Sequence, residues 1–410
     1  MKKIISVLGC IFYMSSLFAV SSADSLKSSV TLMIHNTESF ARKDYPIVIQ
    51  IPAFEKRLKN FDARALAVYV GGKEISTQID DLNADGKPDE LILLVDLMPN
   101  QTKKVTIKQL PSDKKRKVFP KEVNAQMFLK KDSTVIPVTE ATSTKDDMYN
   151  NLLHHGPAFE STLIGYRLYF DNKQTVDVYG KKKQRLELAD TRWYPSDEQM
   201  QKGYGDDILL VGGSVGVGAI KGWDGKKATH ISTYAKRTER IVAQGNLRTI
   251  VDVVVKDWKY ENKTFSMIAR YILYARHRDV EVNIMFSPEL KSEITLATGV
   301  MEKPESDYFT DNEGLVGIWA TDFPVNDTLK YDKQTFGLGV VVPLQYVKQQ
   351  LSDKVNHLVL LKNNEGRFLK YYLTAAALKE EKGYKTANEF FAYLLKWKKE
   401  VLNPVLVILE

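Results

Sequence analysis

Two of the chain's six histidines, His154 and His155, stand side by side, and a carboxylate follows them in the stretch His154-His155-Gly156-Pro157-Ala158-Phe159-Glu160. A histidine near a carboxylate supplies a proton donor and a proton acceptor close to neutral pH, which cleaving or rearranging a sugar requires. Arg167 and the run Asp177-Val178-Tyr179-Gly180-Lys181 come next. Strand alternation puts Thr175, Asp177 and Tyr179 on one face and Val176 and Val178 on the other, so one face is polar and aromatic while the other packs. The expectation is an active cleft on this polar face. His154, His155, Glu160 and Tyr179 would be its catalytic groups, and Arg167, Asp177, Lys181, Asp207 and Trp223 would bind substrate. Arg167 and Lys181 would hold an anionic ligand, Arg as a bidentate fork and Lys as a point charge. On one unbroken strand Glu160 and Arg167 would have opposite parity, so a turn or bulge lies between them or one faces elsewhere. The plain alternative is an ordinary solvent-facing sheet with surface histidines. Neither H-x-H nor H-E-x-x-H spacing occurs, which gives zinc little support.

Two further motifs carry weaker chemistry. Asp81-Leu82-Asn83-Ala84-Asp85-Gly86-Lys87-Pro88-Asp89-Glu90 places oxygen ligands at the first, third, fifth and ninth positions and a glycine at the sixth, as a Ca²⁺ loop does. Asp81, Asn83, Asp85 and Asp89 are therefore a candidate structural Ca²⁺ site, although Ile92 stands where a bidentate glutamate would complete it. An Asx-rich turn between two strands is the other reading. The cluster Gly212-Gly213-Ser214-Val215-Gly216-Val217-Gly218 lacks the G-x-G-x-x-G spacing and no helix pattern follows it, so close sheet packing explains it better than a nucleotide.

The elements that must position these residues read as strands. In a chain of 410 residues with 44% hydrophobic, 27% charged and 10% aromatic content, a sizeable core is affordable, and disordered or collagen-like classes are excluded. That length suggests two domains. Ser29 to Ile34, Tyr45 to Ile51, Ala67 to Val70, Leu91 to Val95 and Lys104 to Lys108 predict an N-terminal β-sandwich over 24–118, ending at the basic run Lys114 to Lys117. Leu163 to Phe170, Thr175 to Tyr179, Asp207 to Val211, Arg248 to Val255, Ser266 to Tyr274, Glu281 to Phe286 and Leu338 to Pro343 predict two large packed sheets over 119–410. One helix is expected near the end, where Thr386 and Glu389 form a capping box ahead of Phe390, Leu394 and Trp397, and it should lie against a sheet.

Residues 1–23 read as a secretory leader: Lys2 and Lys3, an apolar stretch from Ile4 to Val20, then Ser21-Ser22-Ala23 before the cut. The competing reading is a lipoprotein signal acylated at Cys10, with the protein on the outer membrane. Cleavage before Asp24 removes two lysines and the single cysteine, lowering the formal charge from +7 to +5 and leaving a periplasmic chain without disulfides or thiol chemistry. No later segment is apolar enough for a membrane span. The basic excess is scattered as surface lysines, which argues against a nucleic-acid partner.

The stretch His155 to Ser161, with Arg167-Leu168-Tyr169-Phe170, Asp177 to Lys181, Asp85 to Leu91 and Leu296-Ala297-Thr298-Gly299, resembles the secreted bacterial family catalogued as domain of unknown function 4861. That family is similar to galactose-mutarotase-like supersandwich proteins and accompanies uronic-acid-cleaving enzymes in polysaccharide utilisation systems. The resemblance implies a mainly β fold, with a supersandwich and a C-terminal helix, and a carbohydrate-active role without a required cofactor. Three functions stay open. One is a lyase or hydrolase on uronate-containing oligosaccharides; another is a non-catalytic glycan binder using Tyr179, Trp193 and Trp223 as platforms; the third is a mutarotase-like epimerase.

Overall fold

The computed structural model describes residues 27–144, 147–290, 293–363 and 366–410. The leader and Cys10 lie outside the described residues. The chain forms two units, one of residues 1–119 with 403–410 and one of residues 120–402. The expected span of 119–410 for the second domain is therefore corrected at its C-terminal end.

In the first unit, Ser29–His35 alternates strictly and turns Val30, Leu32 and Ile34 inward. It lies in an antiparallel sheet ordered Leu406–Leu409, Ser29–His35, Thr102–Gln109, Leu66–Val70, Lys73–Ile75. A second sheet holds Arg42–Gln50, Glu90–Leu97 and Thr77–Asp80, and the two share one core through Ile47, Ile49, Leu91, Leu93, Val105 and Ile107. The C-terminal strand joins here because an edge of Ser29–His35 needs a partner: Leu32 pairs with Leu409, and Leu409 is buried.

The second unit contains a nine-stranded antiparallel sheet running from Glu140–Ser143 at one edge to Asp307–Thr310 at the other. Its inner face, with Val251, Val253 and Val255, shares a core with two five-stranded sheets. One of these runs Asp206–Asp207, Val176–Gly180, Ile164–Leu168, Ala158–Ser161, Val123–Gln126; the other is centred on Thr295–Met301. The glycine cluster stitches the two together, with Gly216 bridging to Val176 and Val217 to Val300. Gly216 has φ +58° and a Cβ there would lie 2.1 Å from the Val176 carbonyl oxygen, so the approach requires glycine. The strand expected over Asp207 to Val211 is shorter than the periodicity suggests: only Asp206–Asp207 pairs.

The helix Ala387–Leu402 buries Phe390, Leu394 and Trp397 against the strands Leu315–Asp322 and Gln334–Val341. Side chains at Gly337 and Gly339 would collide with Phe390 and Leu394, which explains bare positions in otherwise apolar strands. Thr386 Oγ1 accepts the Glu389 amide at 3.2 Å, while the Glu389 carboxylate takes the Lys385 amide at 2.7 Å, one residue earlier than a standard capping box. Among the described residues, no helix is long and apolar enough to cross a membrane.

Candidate functional site

A hairpin settles the parity of the expected site residues. Ala158–Ser161 turns back into Ile164–Leu168 with Ala158 opposite Arg167 and Glu160 opposite Gly165. Arg167 then faces Asp177, and Tyr179 faces both Gly165 and Asp207. Directly opposed residues share a sheet face, so Glu160, Arg167, Asp177, Tyr179 and Asp207 stand together on one side. Phe159, Tyr166, Val176 and Val178 fill the core on the other.

The polar face is not open to solvent. Residues 181–205, including the short helices Leu188–Thr191 and Asp197–Gln201, lie over it, and Leu188 and Trp193 pack on Ala158 and Tyr179. The expected cleft over the whole face is thus corrected. Alternation identifies which residues share a face but not whether another segment covers it.

Beneath this cover, Glu160, Tyr179 and Lys181 form a closed network. Lys181 Nζ pairs with Glu160 Oε2 and donates to the carbonyls of Ser161 at 2.6 Å and Arg185 at 2.7 Å. Glu160 also accepts the amides of Glu187 at 2.9 Å and Leu188 at 2.8 Å. Burial lowers the Lys181 ammonium below its ordinary value, against the pull of Glu160. The Tyr179 hydroxyl lies 2.6 Å from the Gly205 carbonyl and 3.1 Å from Glu187, and burial raises it far above the usual phenol range. All three side chains are fully buried with their bonding capacity taken up, so they hold the cover in place.

The second group centres on Arg167. Its Nη2 donates to Asp177 at 2.7 Å, Asp207 at 2.8 Å and the Tyr169 hydroxyl at 2.6 Å, while Nη1 donates to the Tyr194 hydroxyl at 2.9 Å. The guanidinium stacks 4.4 Å from the Trp193 ring, whose Nε1 donates to Asp207 at 3.0 Å. Asp177 is sealed, but Tyr194 is 51% exposed, so the group opens to solvent on that side. Burial, then the neighbouring Asp177 carboxylate, raises Asp207 to about 7.

His155 joins the same group from another segment. Its ring lies flat on Tyr149, with centroids 3.5 Å apart, and stands 6.0 Å from Tyr169. Its Nδ1 is 2.9 Å from the Tyr149 carbonyl, which can only accept, so Nδ1 carries the proton and Nε2 presents a lone pair. Burial lowers its basicity, which keeps the ring neutral at pH 7. His154 points elsewhere: it is buried, edge-on to Phe128, and burial pushes it down to about 3. The expected histidine pair thus divides into one enclosed ring and one half-buried ring.

The backbone marks this place. His154 and His155 have φ of 43° and 69°, and Arg192 and Trp193 have 47° and 76°. Consecutive non-glycine residues in left-handed conformation cost about 1–3 kcal/mol each and persist where surrounding structure enforces them. Both pairs deliver a ring to the Arg167 group.

The family profile described as "Domain of unknown function (DUF4861)" matches residues 34–407. The chain belongs to this family. Among solved structures, it is similar to a protein in the glycosyl hydrolase family 38 from Enterococcus faecalis, at 8% identity and TM-score 0.48, and to an alpha-mannosidase from Enterococcus faecalis V583, at 9% and 0.47. It covers 94% of its own length in both and 48% and 46% of theirs, so it spans about half of each. No curated protein matches it.

The remaining expected residues of this DUF4861 protein lie apart. Trp223 is partly buried, and its backbone amide is bound by the Tyr260 hydroxyl at 2.7 Å. Trp193 and Tyr179, expected as platforms for a glycan binder, are fully buried. In the candidate Ca²⁺ loop, Asp81 accepts the Gly86 amide at 2.7 Å, Asn83 the Asp85 amide at 2.9 Å, Asp85 the Lys87 amide at 2.8 Å and Asp89 the Leu82 amide at 2.7 Å. Oxygens turned onto the loop's own amides do not converge on a cation, and no group of three or more His, Cys, Asp or Glu among the described residues is placed to hold a metal. The loop is built as an Asx turn. Equal melting temperatures in EDTA and in millimolar Ca²⁺ are expected; a rise with Ca²⁺ would show a site. Tyr149, Tyr169 and Tyr194 were not anticipated, although Tyr169 follows Arg167 by two residues and so shares its direction along the chain.

Asp207 and His154 should tilt stability in opposite directions. A carboxyl raised from 3.8 to about 7 stabilises the fold fully at low pH, and that contribution fades as pH rises towards about 7. A histidine lowered from 6.5 to about 3 contributes stability that is present above 6.5 and fades as pH falls towards about 3. Asp207→Asn should remove the first slope and leave the second, as read from urea midpoints across that pH range. An unchanged profile would place the Asp207 carboxyl near its ordinary value.

Proposed function

We propose that this protein is an exported, carbohydrate-active enzyme of the periplasm, a lyase acting on uronate-containing oligosaccharides at the half-open site around His155, Arg167, Tyr169 and Tyr194. The observation that carries this is the convergence of two strained left-handed pairs, from separate segments, on one arginine. Strain of that kind is maintained where geometry matters.

The groups fit β-elimination. His155 Nε2 takes the proton beside the sugar's carboxylate, and the freed electron pair forms the C4–C5 double bond. The C4–O bond breaks, and the Tyr194 hydroxyl gives its proton to the leaving oxygen. Tyr194 suits the acid role because its oxygen already accepts from Arg167, leaving its own proton to donate, and burial raises its pKa so that it stays protonated. Two-carboxylate hydrolysis fits less well. Asp177 and Asp207 are both bound by the same Arg167 nitrogen, so a guanidinium fills the space where a glycosidic oxygen would sit. The half-buried Tyr149 ring, stacked on His155, offers an aromatic contact to a sugar ring.

Incubation of the mature protein with pectic, ulvan-like and glycosaminoglycan oligosaccharides separates the alternatives. Elimination yields an ultraviolet-absorbing unsaturated uronate, which is the expected result. New reducing ends without absorbance would mean hydrolysis, and binding without product would remove the enzymatic reading.

A further inference from the structure

Elimination from a uronate needs a cation to neutralise the sugar's carboxylate, and the two expected ones are engaged: Arg167 by Asp177 and Asp207, Lys181 by Glu160. The loop leaving the Arg167 strand carries another. Lys173 Nζ stands 5.9 Å from the centre of the Tyr169 ring, the ring that neighbours His155. Its side chain is 32% exposed. It donates to the Gly212 carbonyl at 3.3 Å, and its nearest carboxylate oxygen, on Asp171, is 3.5 Å away. Asp171 Oδ1 accepts the amides of Lys173 at 2.8 Å and Gln174 at 3.0 Å, and its Oδ2 makes the long ion pair with Lys173, which a bound carboxylate would have to outcompete.

Positive charge accumulates behind this loop. Lys221 is buried and donates to the Lys173 carbonyl and to Thr175 Oγ1. Arg237 is buried and donates to the carbonyls of Asp171 and Ile231. Glu239, two residues along the same strand, is buried as well, and burial raises its carboxyl well above the ordinary range against the pull of Arg237. The Lys173 ammonium and the Arg237 guanidinium therefore stand near the single Asp171 carboxylate, while burial pushes the neighbouring Lys221 ammonium down to about 7. On the outer side Gly212 and Gly213 carry no side chain, and a Cβ at either would meet nothing within 4 Å, so the ground beside Lys173 is open.

We propose that Lys173 is the specificity-determining residue of the site, binding the carboxylate of an acidic sugar ring held beside Tyr149 and His155. This rests on the lyase reading for its place in the reaction, but the binding itself can be measured without turnover. Lys173 supplies a charge-assisted hydrogen bond, and Arg237 raises the local potential that favours an anion. The glycines at 212 and 213 leave the approach clear.

Calorimetric titration of the mature protein with galacturonate and glucuronate oligosaccharides, and with their carboxyl-reduced counterparts, tests this. The acidic sugars should bind at least about tenfold more tightly than the reduced ones. Lys173→Met should abolish that preference, and Lys173→Arg should retain it. Persistence of the preference in Lys173→Met, or its absence in the unaltered protein, overturns the proposal. A preference that depends on Lys173, in a protein that forms no product from any of these sugars, supports the subsite and overturns the elimination instead.

Discussion

His155→Asn is expected to lower turnover by about a hundredfold or more, the usual contribution of a positioned general base. Asparagine is chosen because it tolerates the left-handed backbone that this position adopts, at φ 69°, so the segment keeps its course. The ring's contribution to folding is its flat contact with Tyr149, worth about 0.5–1.5 kcal/mol, so the variant should remain folded. The larger loss should fall on kcat, because the lone pair on Nε2 acts on the reacting proton while Tyr149 and Lys173 still hold the sugar. Steady-state kinetics on an oligosaccharide that the unaltered protein cleaves reads this directly. Full activity in His155→Asn would assign the base to another group.

Lys181→Met should do the reverse, costing about 3–5 kcal/mol of stability because it strands the Glu160 carboxylate in a fully buried place. Glu160 would keep the amides of Glu187 and Leu188 but lose its cation. Adding Glu160→Gln should recover part of the loss, since a neutral amide at that position needs no counter-charge and still offers an acceptor oxygen. Denaturant midpoints for the two single variants and the pair give the coupling. Any loss of turnover beyond the unfolded fraction would show that the pair also fixes Tyr194, which residues 181–205 carry into the Arg167 group. Additive losses would show that the two charges do not depend on each other.

The strands and their faces were legible because alternation is a local property. Val30, Leu32 and Ile34 announce their face, and the hairpin of Ala158–Ser161 with Ile164–Leu168 puts the polar residues where their parity allows. What covers a face depends on where another part of the chain travels. Residues 181–205 carry no long periodicity, only helices of four and five residues, so nothing in their pattern predicts a roof over Glu160 and Tyr179. The return of Leu406–Leu409 to the first unit was hidden for the same reason, as a short apolar run does not say which edge it will pair with. His155 was legible as a chemical group, and His154 beside it was not separable, because the difference between them is a left-handed turn that encloses one ring and half-exposes the other. In the candidate Ca²⁺ loop the spacing of the oxygens suits either a cation or a turn, and each oxygen also accepts a nearby amide of the loop.

The most direct test of the site is a crystal structure of His155→Asn soaked with an uncleaved uronate oligosaccharide. The sugar is expected beside Tyr149, with its carboxylate at Lys173, its C5 hydrogen directed at position 155 and its leaving oxygen within hydrogen-bond reach of the Tyr194 hydroxyl. A sugar bound away from Arg167, Tyr169 and Tyr194 would contradict the account.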